Sequence, residues 1–349
     1  MLLEKEGSLA DYSLQEKALL QWLSQVFLDE NIALVPMSGD AGFRCYYRIN
    51  IKNQSFVAVD APVELSNNQG FIALQKAFND QGIAVPEIIA CDPQQGFFCL
   101  SDFGDHLLAD VLTLENMSHY YRQAIDILES VAHATVDEHY QIPVYDEAFV
   151  LTELTIFKDW LLKQHLQLTL SAPEQQKLDA CFEVLVDNVM AQPRVVMHRD
   201  FHSRNIMILK DEQLGIIDFQ DAVMGPITYD VVSLLRDCYR RWPEQNIAPL
   251  FHYFVETIAP KLCQQKFNET QWQRWFDLTG IQRHVKASGI FARLYHRDQK
   301  CGYLQDIPLT LSYIVDICAK YPELEFLHTL VKHRVLPALL QMNTSTNRE

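Results

Sequence analysis

The pattern of apolar residues changes near residue 104, and this change constrains the fold more than any other feature of the chain. Before it, two helical patterns begin at Ser13 and Phe71, beside short strand-like runs over 32–35, 43–49, 55–59, 88–91 and 97–100. After it, helical spacing dominates over about 115–138, 150–168, 173–190 and from 228 onward, interrupted by short apolar runs over 194–219. Long runs at helical spacing predict helices, and short bounded runs predict strands. We therefore predict an α+β chain with a small β-rich first lobe (1–101) and a larger, mostly helical second lobe (102–349).

Composition excludes several classes of protein. The chain has 349 residues, of which 48% are hydrophobic and 21% charged, as in ordinary globular proteins and unlike disordered, collagen-like or coiled-coil chains. The formal net charge of −16 repels phosphates and anionic lipid, so we expect neither nucleic acid nor a membrane surface as a partner.

The eight cysteines predict free thiols rather than a disulfide framework, because their spacing is irregular and no C-x-x-C occurs. The first residues are acidic where a signal peptide would be basic and then apolar, and no run has the length of a membrane span. We expect a cytoplasmic protein.

The segment 195–219 carries the chemistry. Val195-Val196-Met197 is followed by His198-Arg199-Asp200 and then by Asn205; a second apolar run over 214–217 leads into Asp218-Phe219. This arrangement predicts a hairpin that brings Asp200, Asn205 and Asp218 close together.

Transfer of a phosphoryl group from ATP needs this set of oxygen-bearing side chains. A carboxylate must orient an attacking hydroxyl and accept its proton, and Asp200 is the candidate for this role. Mg²⁺ takes one or two oxygen ligands from protein and the rest from phosphates and water, and Asn205 and Asp218 are the candidate ligands. The alternative is a structural hairpin with a solvated aspartate and a capping asparagine.

These motifs resemble the aminoglycoside phosphotransferase and choline kinase superfamily, the small-molecule relatives of protein kinases. The resemblance is closer to the bacterial kinases that phosphorylate N-acetylmuramate and N-acetylglucosamine at the anomeric hydroxyl in peptidoglycan recycling. It extends to 225–230 (GPITYD) and to 289–298 (GIFARLYHRD) and covers nearly the whole chain. It implies a bilobal protein-kinase-like fold, ATP and Mg²⁺ as cofactors, and a monomer that acts on a small amino sugar.

On the nucleotide side, the resemblance implies that the loop with Gly39 and Gly42 covers the phosphates and that Leu100 and Asp102 belong to the adenine-binding hinge. A hairpin turn and a plain linker are the alternatives. Asp60 stands where protein kinases carry the phosphate-binding lysine, so either the strand is offset or another cation substitutes. Arg44 is the candidate, because strand alternation aims it with Tyr46 and Arg48; a solvated strand arginine is the alternative.

The acceptor side is predicted from position. His202 and Arg204 lie inside the loop after Asp200, and Gln220 and Asp221 follow the metal aspartate; Asp221 could equally cap a turn. Three further candidates share one helix face, which could bind the carboxylate of N-acetylmuramate or be a solvated, ion-paired face: Arg293, His296 and Arg297. Asp230 is expected to pair with a loop group or cap a helix.

Two other functions remain open from the sequence. An aminoglycoside- or choline-type kinase would bind a cationic acceptor in an acid-lined site, which the arginines near 293 disfavour. A non-catalytic, nucleotide-binding pseudokinase is favoured by Asp60 and disfavoured by intact Asp200, Asn205 and Asp218.

Overall fold

The computed structural model describes residues 13–37 and 42–346, which group into two compact units. Unit 1 contains the chain up to Val111 together with Ala134–Gln141 and Arg204–Asp221, and unit 2 contains Leu112–His133, Ile142–Ser203 and the chain from Ala222 onward. A small antiparallel sheet and a mostly helical remainder confirm the predicted α+β class. The division into domains at 101/102 stays a prediction.

The five-stranded antiparallel sheet of unit 1 has the order β1-β2-β3-β5-β4. Its strands are β1 Val35–Pro36, β2 Cys45–Ile51, β3 Gln54–Asp60, β4 Ile88–Asp92 and β5 Phe97–Ser101. Lys52 and Asn53 connect β2 to β3 with φ angles of 48° and 66°, the left-handed backbone of a tight hairpin turn. This turn joins the two strand-like runs predicted over 43–49 and 55–59.

Among the described residues, unit 1 has three α-helices: α1 Leu14–Phe27, α2 Asn68–Asp80 and α3 Leu108–Val111. The predicted start of α1 is confirmed, because Ser13 and Glu16 form a reciprocal capping box. Leu19 and Leu23 of α1 are buried in one apolar cluster with Ile49 and Ala58 of the sheet.

The predicted strand over 32–35 is wrong in extent, since only Val35 of this run pairs in β1. Ile32 and Leu34 are buried in the cluster beneath α1 without pairing in a strand. Their apolar character reflects burial in a loop, which periodicity cannot distinguish from a short strand.

The predicted hairpin after Asp200 is present and belongs to unit 1. It consists of β7 Ile206–Ile208 and β8 Leu214–Ile216. The backbone N–H of Ile208 donates to the carbonyl of His106 over 2.8 Å, and the N–H of Ile216 donates to the carbonyl of Ala84 over 2.8 Å. These bonds attach the hairpin to segments that precede it by more than a hundred residues.

Unit 2 is mostly helical, with one two-stranded ribbon of β6 Arg194–Met197 and β9 Val223–Pro226. Its helices are α4 Met117–Ala132, α5 Glu147–Ile156, α6 Ala172–Met190, α7 Tyr229–Leu235, α8 Glu244–Tyr253, α9 Ala259–Leu262, α10 Glu269–Asp298, α11 Ile307–Cys318, α12 Glu325–Leu330 and α13 Leu336–Thr346. A π-helical segment, Phe157–His165, continues α5, so the predicted helix over 150–168 is confirmed with an irregular second half. Over residues 13–37 and 42–346, no helix is long and apolar enough to cross a bilayer.

Helix α10 is the longest element, with 30 residues, and most of its side chains from Trp272 to Leu294 are buried. It packs closely against the junction of α5 and the π-helical segment at Gly289. A Cβ atom on Gly289 would lie 2.6 Å from the backbone nitrogen of Phe157 and 2.7 Å from the carbonyl carbon of Ile156. Both contacts are with backbone, which cannot rotate away.

Gly289→Ala is therefore expected to lower the free energy of unfolding by about 1–3 kcal/mol, the usual cost of overpacking a core. Gly302→Ala is the matched control, because nothing lies within 4 Å of a Cβ atom at that position. Thermal and urea denaturation of both variants measure the effect, and equal stabilities would show that the two segments are not in close contact.

Candidate active site

The loop that begins at His198 is held at its start by Asp230, on α7. The Asp230 carboxylate accepts the backbone N–H of His198 over 2.6 Å and that of Arg199 over 2.9 Å. Burial raises the pKa of Asp230, although His198 and the two N–H bonds lower it. The predicted structural role of Asp230 in pairing with the loop is confirmed.

A second aspartate holds the loop farther along. The Asp237 carboxylate accepts the hydroxyl of Ser203 over 2.6 Å and its backbone N–H over 3.3 Å. Between the two anchors, Arg199 adopts a left-handed backbone with φ at 78°. Such a conformation costs a non-glycine residue free energy and recurs at functional sites, where the surrounding contacts maintain it.

The side chain of Arg199 belongs to a buried cluster centred on Glu153 of α5. The Glu153 carboxylate lies 2.8 Å from Nη2 of Arg199 and 2.9 Å from Nζ of Lys286, and it accepts the hydroxyl of Tyr145 over 2.5 Å. Gln282 donates to it as well, over 3.1 Å. Burial would raise the pKa of Glu153, but the two cations outweigh burial and lower the pKa to about 2.

Asp200 is partly buried in a cationic environment. Burial alone would raise the pKa of this carboxyl, but nearby cationic groups lower the pKa below its usual range. In decreasing order of effect, these groups are Lys286, Arg199, His202 and Arg283. A carboxylate that stays ionised can accept a hydrogen bond from a hydroxyl at any physiological pH, which suits a group that orients an attacking alcohol.

Asn205 and Asp218 lie side by side in unit 1, where they flank the β7–β8 hairpin. The Asn205 carboxamide donates to Oδ2 of Asp218 over 3.4 Å, and the backbone N–H of Ile217 donates to the Asn205 carbonyl over 3.1 Å. Gln220 donates to the other oxygen of Asp218 over 2.8 Å. Asp218 has φ at 64°, a second left-handed, non-glycine backbone in the motif.

The donor chemistry of this pair fits Mg²⁺. A carboxylate and a carboxamide are oxygen ligands of the kind that Mg²⁺ prefers, and a site that relies on substrate phosphates needs few from the protein. The described part of the chain contains no group of three or more His, Cys, Asp or Glu side chains that could hold a metal ion by themselves.

The start of α2 connects Arg44 to the segment that carries Asp218. Arg44 donates to the carbonyl of Asn67 over 3.2 Å, and the Asn67 carboxamide donates to the carbonyl of Gln220 over 2.9 Å. Phe71 stacks on Phe219 with ring centroids 5.1 Å apart, and the guanidinium of Arg44 lies 5.0 Å from the Phe71 centroid.

Tyr46 also links these groups. Burial raises its pKa, Arg44 lowers it, and the carboxylates of Asp218 and Asp221 raise it further. Arg44 and the metal-ligand candidate Asp218 are thus both close enough to Tyr46 to change the pKa of its phenol, on the sheet face opposite α1.

Asp60 lies on the other face of the sheet. It is 8% exposed and accepts Nε2 of Gln15, on α1, over 3.1 Å, while its strand neighbour Val59 pairs with Tyr46 across the sheet. The sequence of β3, QSFVAVD, contains no lysine at any offset, so Arg44 remains the candidate cation. Asp60 does not occupy the position from which a strand residue could reach the same side as Arg44.

The remaining nucleotide-side candidates differ in their surroundings. Asp102 is engaged by Arg48, whose Nε lies 2.7 Å from its carboxylate, and by Ser55. Leu100 is buried, and a Cβ atom on Gly42 would meet only Arg44 N at 3.9 Å. Gly39 lies outside the described residues, and the nucleotide role of all four positions stays a prediction.

The acceptor-side candidates from the loop and from the segment after Asp218 are partly buried or exposed. Nδ1 of His202 and Oε1 of Gln220 are buried without a hydrogen-bond partner among the described residues. Arg204 is half-buried in a single turn of 3₁₀ helix, and Asp221 is exposed. Buried polar atoms without a protein partner, such as those of His202 and Gln220, are available to form hydrogen bonds with a ligand.

The three candidates on α10 are not equivalent. Arg297 pairs with Asp298 over 2.7 Å, and His296 contacts Nδ1 of His165 over 3.1 Å. Nε of Arg293 is buried without a hydrogen-bond partner in the described chain, and burial, with Arg297 nearby, lowers its pKa. Among these three residues, Arg293 is the one with a buried donor that lacks a partner in the described part of the chain.

Sequence reasoning missed Glu153, Lys286 and Arg283, which surround Asp200 and Arg199. The signal for two of them was available, since Arg283, Lys286 and Arg293 fall on one face of α10 at helical spacing. Glu153 had no local signal, because it meets Arg199 and Lys286 only through the tertiary fold.

Comparison with known proteins gives consistent results. A family model described as the phosphotransferase enzyme family matches residues 33–260. A protein of Pseudomonas aeruginosa named N-acetylmuramate/N-acetylglucosamine kinase is 38% identical over 300 residues, which cover 85% of this chain and 87% of that protein. This relative confirms the predicted resemblance.

Solved structures bear on the fold. An ethanolamine kinase of Plasmodium vivax has a TM-score of 0.63 at 12% identity and covers 89% of this chain and 90% of its own. An ADP-bound aminoglycoside phosphotransferase has a TM-score of 0.57 at 14% identity, over 86% of this chain and 98% of its own. They confirm the predicted protein-kinase-like fold.

The Glu153 cluster predicts an acid-labile contribution to stability. A carboxyl whose pKa is about 2 when folded and near 4.5 when unfolded stabilises the fold above pH 4.5, and this contribution is lost as the pH falls toward 2. Glu153→Gln should remove that part of the pH dependence and lower stability at pH 7 by about 3–5 kcal/mol, because Arg199 and Lys286 lose their counter-charge. Urea unfolding across pH measures both effects.

Glu147→Gln, on the exposed first turn of the same helix, is the control and should follow the wild-type curve. An unchanged pH dependence in Glu153→Gln would contradict the ionised, doubly paired state of Glu153.

Proposed function

Because the chain belongs to the phosphotransferase enzyme family, we propose that it transfers the γ-phosphoryl group of ATP to the anomeric hydroxyl of an amino sugar, N-acetylmuramate or N-acetylglucosamine. The observation that carries the proposal is the pairing of Asn205 with Asp218 at the base of the β7–β8 hairpin, which follows the loop that contains Asp200. The name of the P. aeruginosa relative supports the substrate class, and a role in peptidoglycan recycling is what the sequence resemblance implies. The free cysteines support a cytoplasmic location, and the acidic charge supports small molecules rather than nucleic acid as partners.

In this mechanism Asp200 orients the sugar hydroxyl and accepts its proton as the bond to phosphorus forms. Phosphoryl transfer depends on positioning and on charge neutralisation rather than on strong base catalysis, so a carboxylate with a lowered pKa is sufficient. Asn205 and Asp218 would hold Mg²⁺, which supplies positive charge to the phosphate oxygens. Arg44 would add a second positive charge on the nucleotide side.

The acceptor would be held by side chains near the loop and on α10. Arg293, whose Nε lacks a partner among the described residues, would bind the carboxylate of N-acetylmuramate. Nδ1 of His202 and Oε1 of Gln220 would form hydrogen bonds with the sugar. Arg204, Asp221, His296 and Arg297 remain acceptor candidates with a weaker geometric argument. A cationic aminoglycoside or choline would find Arg293 unfavourable.

The pseudokinase alternative rested on Asp60. Since Asp60 faces α1 and bonds Gln15, its charge gives no reason to expect a defective nucleotide site. An ADP-release assay with N-acetylmuramate, N-acetylglucosamine, choline and kanamycin separates these functions. The proposal expects turnover with the two sugars alone, and turnover with an amine alone, or with none of the four, would refute it.

Asp200→Asn is expected to lower kcat by about 100-fold or more while the dissociation constant of ATP stays unchanged. Asparagine has nearly the same shape as aspartate, but it cannot accept the proton of the hydroxyl. Asp159→Asn, at an exposed position, is the control. Steady-state kinetics and calorimetry measure the two quantities. Full activity in Asp200→Asn would remove Asp200 from its role.

Arg44→Ala is expected to raise the KM for ATP by about 10-fold, the loss of one charge-assisted hydrogen bond, with a smaller effect on the KM for the sugar. Lys76→Ala, at an exposed cation on α2, is the matched control. An unchanged KM for ATP in Arg44→Ala would return Arg44 to the role of a solvated strand arginine.

A further inference from the structure

A buried arginine near Asp200 has two nitrogens without a hydrogen-bond partner in the part of the chain that the structure describes. Arg283, on α10, is 5% exposed, and its Nε and Nη1 atoms have neither solvent nor an acceptor among residues 13–37 and 42–346. Its guanidinium instead lies 5.2 Å from the ring centroid of Tyr229. Leaving buried donors without acceptors costs free energy, and the cost is larger for a charged group than for a neutral one.

The neighbours of Arg283 explain why its charge is tolerated without satisfying its donors. The carboxylates of Asp200 and Asp237 act on it and raise its pKa, although burial lowers it. Asp237 already accepts the hydroxyl and N–H of Ser203 and the N–H of Tyr239. The electrostatic balance is therefore favourable, but the directional bonds of the guanidinium are not used.

The other cations of this region are committed. Lys286, one turn farther along α10, is paired with Glu153 and lies 3.3 Å from the hydroxyl of Tyr229. Arg199 shares Glu153 with Lys286. Arg283 is thus a buried cation with two unsatisfied nitrogens in this region, and the N–H groups of a guanidinium bind the oxygens of a carboxylate or a phosphoryl group.

We propose that Arg283 binds an oxyanion beside Asp200, either a carboxylate of the acceptor or the phosphoryl group that the acceptor receives. This inference rests on the proposed function for the identity of the two oxyanions. The oxygens of the bound oxyanion accept hydrogen bonds from the unsatisfied nitrogens. The free-energy cost of burying these nitrogens is therefore offset only in the complex. An acceptor or product with a suitably placed oxyanion then gains affinity that a neutral sugar does not.

The test compares Arg283→Met, which removes the charge at similar volume, with Arg283→Lys, which keeps the charge but lacks the planar guanidinium group. Arg274→Met is the matched control, because Arg274 lies on the same helix and pairs with Glu323 at the surface. Calorimetry measures binding of N-acetylmuramate, N-acetylglucosamine and inorganic phosphate to each full-length protein, and circular dichroism establishes that each is folded at the assay temperature.

If the oxyanion is the acceptor's carboxylate, Arg283→Met weakens N-acetylmuramate binding at least 10-fold and leaves N-acetylglucosamine unchanged. If it is the transferred phosphoryl group, phosphate binding weakens and kcat falls equally on both sugars. In both cases Arg283→Lys is intermediate and Arg274→Met matches the wild type.

The proposal is overturned if both Arg283 variants bind all three probes as the wild type does, or if they weaken the neutral sugar as much as the anions without changing kcat. Arg283→Lys decides the question should Arg283→Met fail to fold. Because binding is measured without turnover, a wild-type protein that binds the anions but phosphorylates no sugar would refute the proposed function and leave this inference standing.

Discussion

The attachment of the His198–Asn205 loop is the constraint on which the rest of the site depends. Within unit 2, Asp230 holds the backbone of His198 and Arg199, and Asp237 holds Ser203. Asp200 lies between these anchored residues, so it has little freedom to move. A reaction that relies on positioning needs this rigidity more than it needs a strong base.

Local charge near Asp200 is opposite to that of the whole molecule. The chain carries a net charge of −16, yet the cations Lys286, Arg199 and Arg283 lie near Asp200. Glu153 pairs with two of these cations, Arg199 and Lys286. An acidic surface with a cationic interior site disfavours large polyanions and admits a small anionic ligand. Glu153 keeps the cations in place without neutralising them all.

The sequence predicted the hairpin after Asp200 and the closeness of Asn205 and Asp218 better than the contacts that support the loop. The hairpin and its flanking residues are local features, and short-range patterns predict such features. Glu153 and Arg283 were missed because each acts through contacts with residues far away in the chain. Asp60 was ambiguous for a different reason: alternation assigns a face to every strand residue, but only the packing of α1 shows which face is the buried one.

The position of the new phosphate on the sugar tests the central claim most directly, since it depends on how Asp200 orients the acceptor. Phosphorus NMR of the product formed from ATP and N-acetylmuramate gives this position through the coupling between phosphorus and the sugar protons. The account predicts coupling to the anomeric proton. Coupling to the protons on carbon 6, or a phosphorus signal from free phosphate alone, would contradict it.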